Sequence, residues 1–116
     1  MSTPPPVDLD EFRSAMRDAG IEDIVEPMLE LFTAEAAKGV AQIRSAMSAG
    51  DLDALGRTAH SLKSSAGNVR AKALAELLQE LETAAGEGDA AAAARLIGPI
   101  EAQHAAAAEY LAARRK

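Results

Sequence analysis

The sequence predicts an all-α fold: an antiparallel up-and-down four-helix bundle with a short extra helix at its N-terminus. Three observations predict it. Apolar residues recur at steps of three and four along most of the chain, without strand-like alternation or an Asn-Gly hairpin turn. Hydrophobic residues make up 48% of the chain but aromatics only 3%. The core must therefore rest on Leu, Ile, Val, Met and Ala, small side chains that suit close helix packing better than a β-sandwich. Finally, Gly50-Asp51 and Gly88-Asp89 each read as a helix stop followed by an N-cap. Connections this short force neighbouring helices antiparallel.

The elements follow in order. Pro4-Pro5-Pro6 reads as an extended leader, and residues 1–7 are assigned as a flexible, Pro-rich segment ahead of one bundle domain over residues 8–116. A first short helix is expected from Asp8 to Ala19, with Leu9, Phe12 and Met16 on one face and Gly20 as its stop. A long helical segment follows over Ile21–Ala49. Its apolar stripe is Ile24, Met28, Leu31, Phe32, Val40, Ile43 and Met47, and Pro27 marks either its start or a kink. The third helix runs from Leu52 to Gly67 or Asn68. The fourth, Lys72–Ala85, carries Leu74, Leu77, Leu78 and Leu81. The last spans Ala90 to Arg115 with Leu96, Ile97, Ile100, Tyr110 and Leu111, and Gly98-Pro99 is expected to bend it.

Length and composition bound the function. At 116 residues the chain fits one domain, with a monomer as the default. A net charge of −6 argues against nucleic acid as a partner. The basic tail Arg114-Arg115-Lys116 is the local exception, and it complements the negative end of the last helix dipole. There is no Cys, hence no thiol nucleophile, disulfide or Cys-ligated zinc. No apolar run approaches the roughly 20 residues that span a bilayer. The N-terminal stretch lacks the pattern of a signal peptide. A cytoplasmic protein without membrane contact is the expectation.

The third helix holds the chemistry. Its apolar stripe is Leu52, Leu55, Ala59, Leu62, Ala66 and Val69, and the opposite stripe is Asp53, Gly56, Arg57, His60, Lys63, Ser64 and Gly67. Gly inside a helix costs about 0.5–1 kcal/mol relative to Ala. Gly56 and Gly67 beside His60 therefore suggest clearance for another molecule. Arg57 and Lys63 lie one turn either side of the imidazole. Neighbouring cations disfavour a protonated ring and would offset the charge of a phosphoryl group on it. Ser64 is placed to donate to a phosphate oxygen. Across the turn at Val69-Arg70, an antiparallel partner regains the level of His60 in a window holding Gln79, Glu80 and Glu82. One of these can accept the Nδ1 proton and leave Nε2 free to attack, with Gln79 and Glu82 the better placed.

The run His60-Ser61-Leu62-Lys63-Ser64-Ser65-Ala66-Gly67 resembles the histidine-containing phosphotransfer (HPt) domain family. Its pattern is His-x-(Leu/Ile)-Lys-Gly, then small residues, with a small residue seven after the His. Ala59, Asn68-Val69, Ala71, the Leu74/Leu77/Leu81 series and Leu81-Glu82 share the likeness, which extends over the whole chain. The resemblance implies a His60 phosphorylated at Nε2, with Glu82 the best match to the family's orienting residue. It implies receiver domains of a hybrid sensor kinase and of a response regulator as partners. It implies no cofactor in this chain, Mg²⁺ residing on the receiver. The sequence departs from the pattern at Ser64, where Gly is usual, and at Arg70, where Gly is often found.

Rival readings are weaker. A histidine-kinase dimerisation helix would carry an acidic residue after its His and a Pro five positions on, where Ser61 and Ser65 stand, and there is no Gly-rich ATP lobe. A metal site is not expected, since His60 and His104 lack an adjacent ligand pair. No nucleophile elbow marks a hydrolase. A passive helical adaptor using the same face is the alternative from another class.

Overall fold

The structure, a computed structural model, describes residues 4–114. Arg115 and Lys116 of the basic tail lie outside the described residues, as do residues 1–3. Five α-helices form the fold: α1 (Leu9–Asp18), α2 (Val25–Ala49), α3 (Leu52–Asn68), α4 (Lys72–Gly86) and α5 (Ala90–Arg114), with a 3-10 turn at Glu22–Ile24 before α2. No strand occurs among the described residues. Helix α2 packs on α3, α3 on α4, α4 on α5 and α5 back on α2, closing the four-helix ring. The 25-residue helices α2 and α5 set its long dimension, 42 Å, since each residue adds about 1.5 Å of rise.

The stops at Gly20, Gly50 and Gly88 and the caps at Asp51 and Asp89 are built as the sequence reads, and Asp8, expected inside the first helix, caps it instead. Asp8, Asp51 and Asp89 accept the backbone N–H of Glu11, Ala54 and Ala92, each three residues on. Gly20, Gly50 and Gly88 take positive φ. At Gly50 the N–H donates to Met47 O and the next N–H, of Asp51, to Ala46 O, which closes the last turn of α2. Arg70 makes the same closure after α3, with its N–H on Gly67 O and that of Ala71 on Ala66 O. Its φ is 66°, a left-handed conformation that glycine adopts at no steric cost. The side chain compensates: its guanidinium donates to Asn68 O at 2.9 Å and to Glu11 of α1 at 3.3 Å. Arg70 O also accepts the Asp8 N–H. The residue thus ties the N-terminal helix to the α3–α4 turn.

The core is apolar throughout, with no buried polar side chain among the described residues. Leu55, Ala59, Leu62, Ala66 and Val69 are buried as the stripe predicts, and Leu52 is half-buried. Val7, assigned by sequence to the leader, is fully buried. Two expectations change. The segment from Ile21 is not one helix: the 3-10 turn precedes α2, and Pro27 lies in the first turn of α2, where a missing N–H leaves no bond unmade. Leu31 is not core but 58% exposed, because Val25, Leu29, Phe32 and Ala36 carry the buried face. Pro99, where the sequence expects a bend, lies exposed inside α5.

Gly39 in mid-α2 is buried, and a Cβ there would stand 3.0 Å from Leu62 Cδ2. The missing side chain is what lets α2 approach α3. Gly39→Leu should force the two apart and cost about 1–3 kcal/mol, as overpacking does. A fall in the urea midpoint with an unchanged m-value checks it.

Candidate functional site

His60 projects from the middle of α3, opposite the buried stripe, with its side chain 65% exposed. Its Nδ1 lies 2.9 Å from Glu82 Oε2 on α4. A carboxylate can only accept, so in the neutral ring Nδ1 carries the proton and donates it to Glu82. Nε2 keeps its lone pair and makes no hydrogen bond among the described residues. The other carboxylate oxygen, Oε1, accepts from Lys63 Nζ at 2.7 Å. Lys63 Nζ also donates to Gln79 Oε1 at 2.8 Å, and Gln79 Nε2 donates to Thr83 Oγ1 at 3.2 Å. A chain of polar contacts therefore runs Thr83, Gln79, Lys63, Glu82, His60 across the α3–α4 seam.

The alternatives that the sequence leaves open are resolved by this geometry. Glu82 touches the ring, and Gln79 serves Lys63 instead. Glu80 turns the other way, into a crevice between α4 and α5 beside Arg95. Thr83 was missed, although its place four residues after Gln79 is the helical spacing at which side chains meet. Lys63, expected beside the imidazole, is instead bonded to the group that holds the imidazole. This Lys63 bond is the main reason that the Glu82 carboxyl is pulled below its ordinary range; partial burial opposes it, and the His60 contact adds to it.

The flanking small residues divide. A Cβ on Gly67 would meet nothing within 4 Å, so the approach there is open. A Cβ on Gly56 would lie 3.5 Å from Ala85 Cβ, so Gly56 faces α4 rather than an incoming molecule. Ser64 Oγ donates back to His60 O at 3.3 Å, the usual habit of a mid-helix serine. Arg57 makes no ion pair among the described residues and lines a groove toward α2 with Glu35, Lys38 and Gln42. Ser65 crosses that seam to Glu35 at 3.1 Å. Beyond Asn68 the same seam turns apolar, where Met28, Leu31, Phe32 and Val69 line a crevice and Leu31 stands exposed.

No group of three or more His, Cys, Asp or Glu side chains able to hold a metal occurs among the described residues. No helix among them is long and apolar enough to cross a membrane. His104 sits on α5 without a hydrogen bond among the described residues, and burial holds its ring below the ordinary histidine range.

An imidazole steadied at one nitrogen and open at the other, on a helix braced by a bundle, suits a protein that carries a phosphoryl group on histidine. The sequence model of the Hpt domain matches residues 27–113, and the chain belongs to this family of histidine-containing phosphotransfer domains. It is similar to histidine-containing phosphotransfer protein B of Pseudomonas aeruginosa, a crystal structure with 30% sequence identity and a TM-score of 0.83. That likeness covers 92% of this chain and 91% of the other. A search of curated proteins gives no match. The activity of the class is histidine phosphotransfer in a two-component relay, and Hpt domains interact with the receiver domains of sensor kinases and response regulators.

The depressed Glu82 carboxyl has a consequence for stability. Its ionised form is favoured in the folded state, so the Lys63 and His60 contacts stabilise the fold above the ordinary carboxylate range. That contribution is lost as pH falls through the depressed value. Wild type should exceed Glu82→Gln in stability at neutral pH, and the gap should close in acid. Urea titrations at pH 7 and pH 3 check the sign.

Proposed function

We propose that His60 Nε2 receives a phosphoryl group from the aspartyl phosphate of one receiver domain and passes it to the aspartate of another. The observation that carries this reading is the Nδ1–Glu82 bond beside an unpartnered, exposed Nε2. Glu82 fixes the tautomer and the ring orientation; Lys63 and Gln79 fix Glu82. Phosphoryl transfer depends on in-line positioning and charge neutralisation more than on covalent help. A nucleophile anchored on a rigid helix meets the first need. The receiver supplies the aspartate, its Mg²⁺ and the rest of the machinery.

The partners in this reading are the receiver of a hybrid sensor kinase on one side and that of a response regulator on the other. They would dock over the open Gly67 edge of His60. Arg57 flanks that face toward α2, and the exposed Leu31 continues it beyond Asn68. Leu31 is the apolar contact that the sequence alone does not single out. The domain works in the cytoplasm as a monomer and has no ATP-dependent kinase activity of its own.

Incubation with a phosphorylated receiver should give an acid-labile, base-stable phosphate on the protein. His60→Gln should abolish that phosphate while leaving the helical circular dichroism spectrum intact. A passive adaptor would never acquire the label. Gly67→Leu places a side chain where nothing now stands, so the fold should be retained while transfer from the receiver falls at least about tenfold, the effect of losing roughly 1.4 kcal/mol of docking. Unchanged transfer in that variant would refute the open-edge docking.

A further inference from the structure

The group that holds the His60 ring is a carboxylate, and it is shared. Glu82 binds the ring through Oε2 and the Lys63 ammonium through Oε1. Orientation alone does not need this charge, because an amide oxygen accepts from Nδ1 equally well. The charge becomes important when the ring itself is charged.

Phosphorylation at Nε2 creates that situation. The Nε2 lone pair forms the N–P bond, and with Nδ1 still protonated the ring becomes an N-phosphorylated imidazolium. If Nδ1 keeps its proton, cleavage returns the bonding pair to Nε2 and releases a neutral imidazole. If the proton has gone to solvent, the same cleavage must expel an imidazolate, a far poorer leaving group.

We propose that Glu82 keeps the phosphorylated His60 ring protonated at Nδ1, and so sets how readily the phosphoryl group leaves, while Lys63 moderates that hold by bonding the same carboxylate. This rests on the reading of His60 as the phosphoryl carrier. In the transfer step an acceptor carboxylate oxygen forms the new P–O bond as the N–P bond breaks. The proton stays on Nδ1, and His60 returns to its starting tautomer. No further reactant is required. Glu82 touches no reacting atom, so it is a positioning residue that acts through the ring.

The surroundings single out Glu82. From α4 only its carboxylate bonds the ring, since Gln79 is turned to Lys63. On α3, Lys63 is bonded away from the ring, and Arg57 lines the groove toward α2. On α2, Glu35 and Lys38 border that same groove, with Glu35 bonded to Ser65.

The test uses the full chain loaded with potassium phosphoramidate, which phosphorylates histidine directly. Ring protonation in the phosphorylated protein is followed across pH by ¹H–¹⁵N NMR, and phosphoryl loss to water by ³¹P NMR. Glu82→Gln, which keeps an acceptor oxygen in place, should move the ring's protonation midpoint to lower pH by about one unit, the low end of what an opposite charge at contact distance produces. Phosphoryl loss should slow by about fivefold at the wild-type midpoint and approach about tenfold above it, following the protonated fraction. Lys63→Met should move the midpoint the opposite way. If Glu82→Gln leaves the midpoint unmoved, the carboxylate only orients the ring and this proposal is overturned while the carrier reading stands. If wild type takes up no phosphate at His60, both are overturned.

Discussion

One carboxylate, that of Glu82, joins α3 to α4 at His60, the proposed phosphoryl carrier. It reaches His60 with one oxygen and Lys63 with the other. The arrangement tolerates little error in register, because each residue of slip along a helix turns a side chain by about 100° and advances it about 1.5 Å. The register is set by the turn between the helices. There the left-handed Arg70 closes α3, and α4 begins two residues later at Lys72. A residue that bears a steric cost in its backbone thus fixes the geometry of a site seven to twelve residues away. Its guanidinium, spread over Asn68 O and Glu11, offsets that cost and holds α1 against the same turn.

The bundle makes the site rigid by bringing its helices close. Aromatic bulk is scarce, so closeness comes from small side chains. Gly39 admits Leu62 between α2 and α3, and Gly56 meets Ala85 between α3 and α4. Ala59, Ala66, Ala93 and Ala107 are buried where larger residues would hold the helices apart. The exposed imidazole is therefore mounted on a helix fixed from both sides. A rigid mount matters for a group proposed to meet an incoming phosphorus in line. Gly56 shows how one residue type reads two ways: a glycine near a reactive side chain suggests room for a ligand, yet this one makes room for a neighbouring helix.

Much of this was legible in the sequence because it depends on local rules. The Asp caps, the Gly stops and the α3 stripe are set by spacing within one helix, and they stand where the spacing put them. His60 stood out by the same logic, through unusual neighbours on a face that helices ordinarily leave to Glu, Lys and Ala. What required coordinates was relative rotation between helices. Whether Gln79 or Glu82 meets the ring depends on how α4 is turned against α3, which no periodicity within α4 reveals. Leu31 failed for a related reason. The way α2 is turned against the bundle buries Val25, Leu29 and Phe32, which leaves Leu31 in solvent.

The occupied state of Lys63 bears on how labour is divided in the proposed transfer. Read from sequence, Lys63 is a cation available to a phosphoryl group on His60. In the structure its three donors are directed in part to Glu82 and Gln79, and its charge is largely balanced by the carboxylate. With Ser64 bonded to its own helix and Arg57 aimed toward α2, the groups around Nε2 offer little to neutralise a transferring phosphoryl group. Exposure weakens what remains, because charges facing water are screened. Such a site holds and orients a nucleophile, and a partner must bring the charge stabilisation that the reaction needs. An idle phosphoryl carrier gains from that division, since a histidine that cannot stabilise the transition state alone loses its cargo slowly until the right surface arrives.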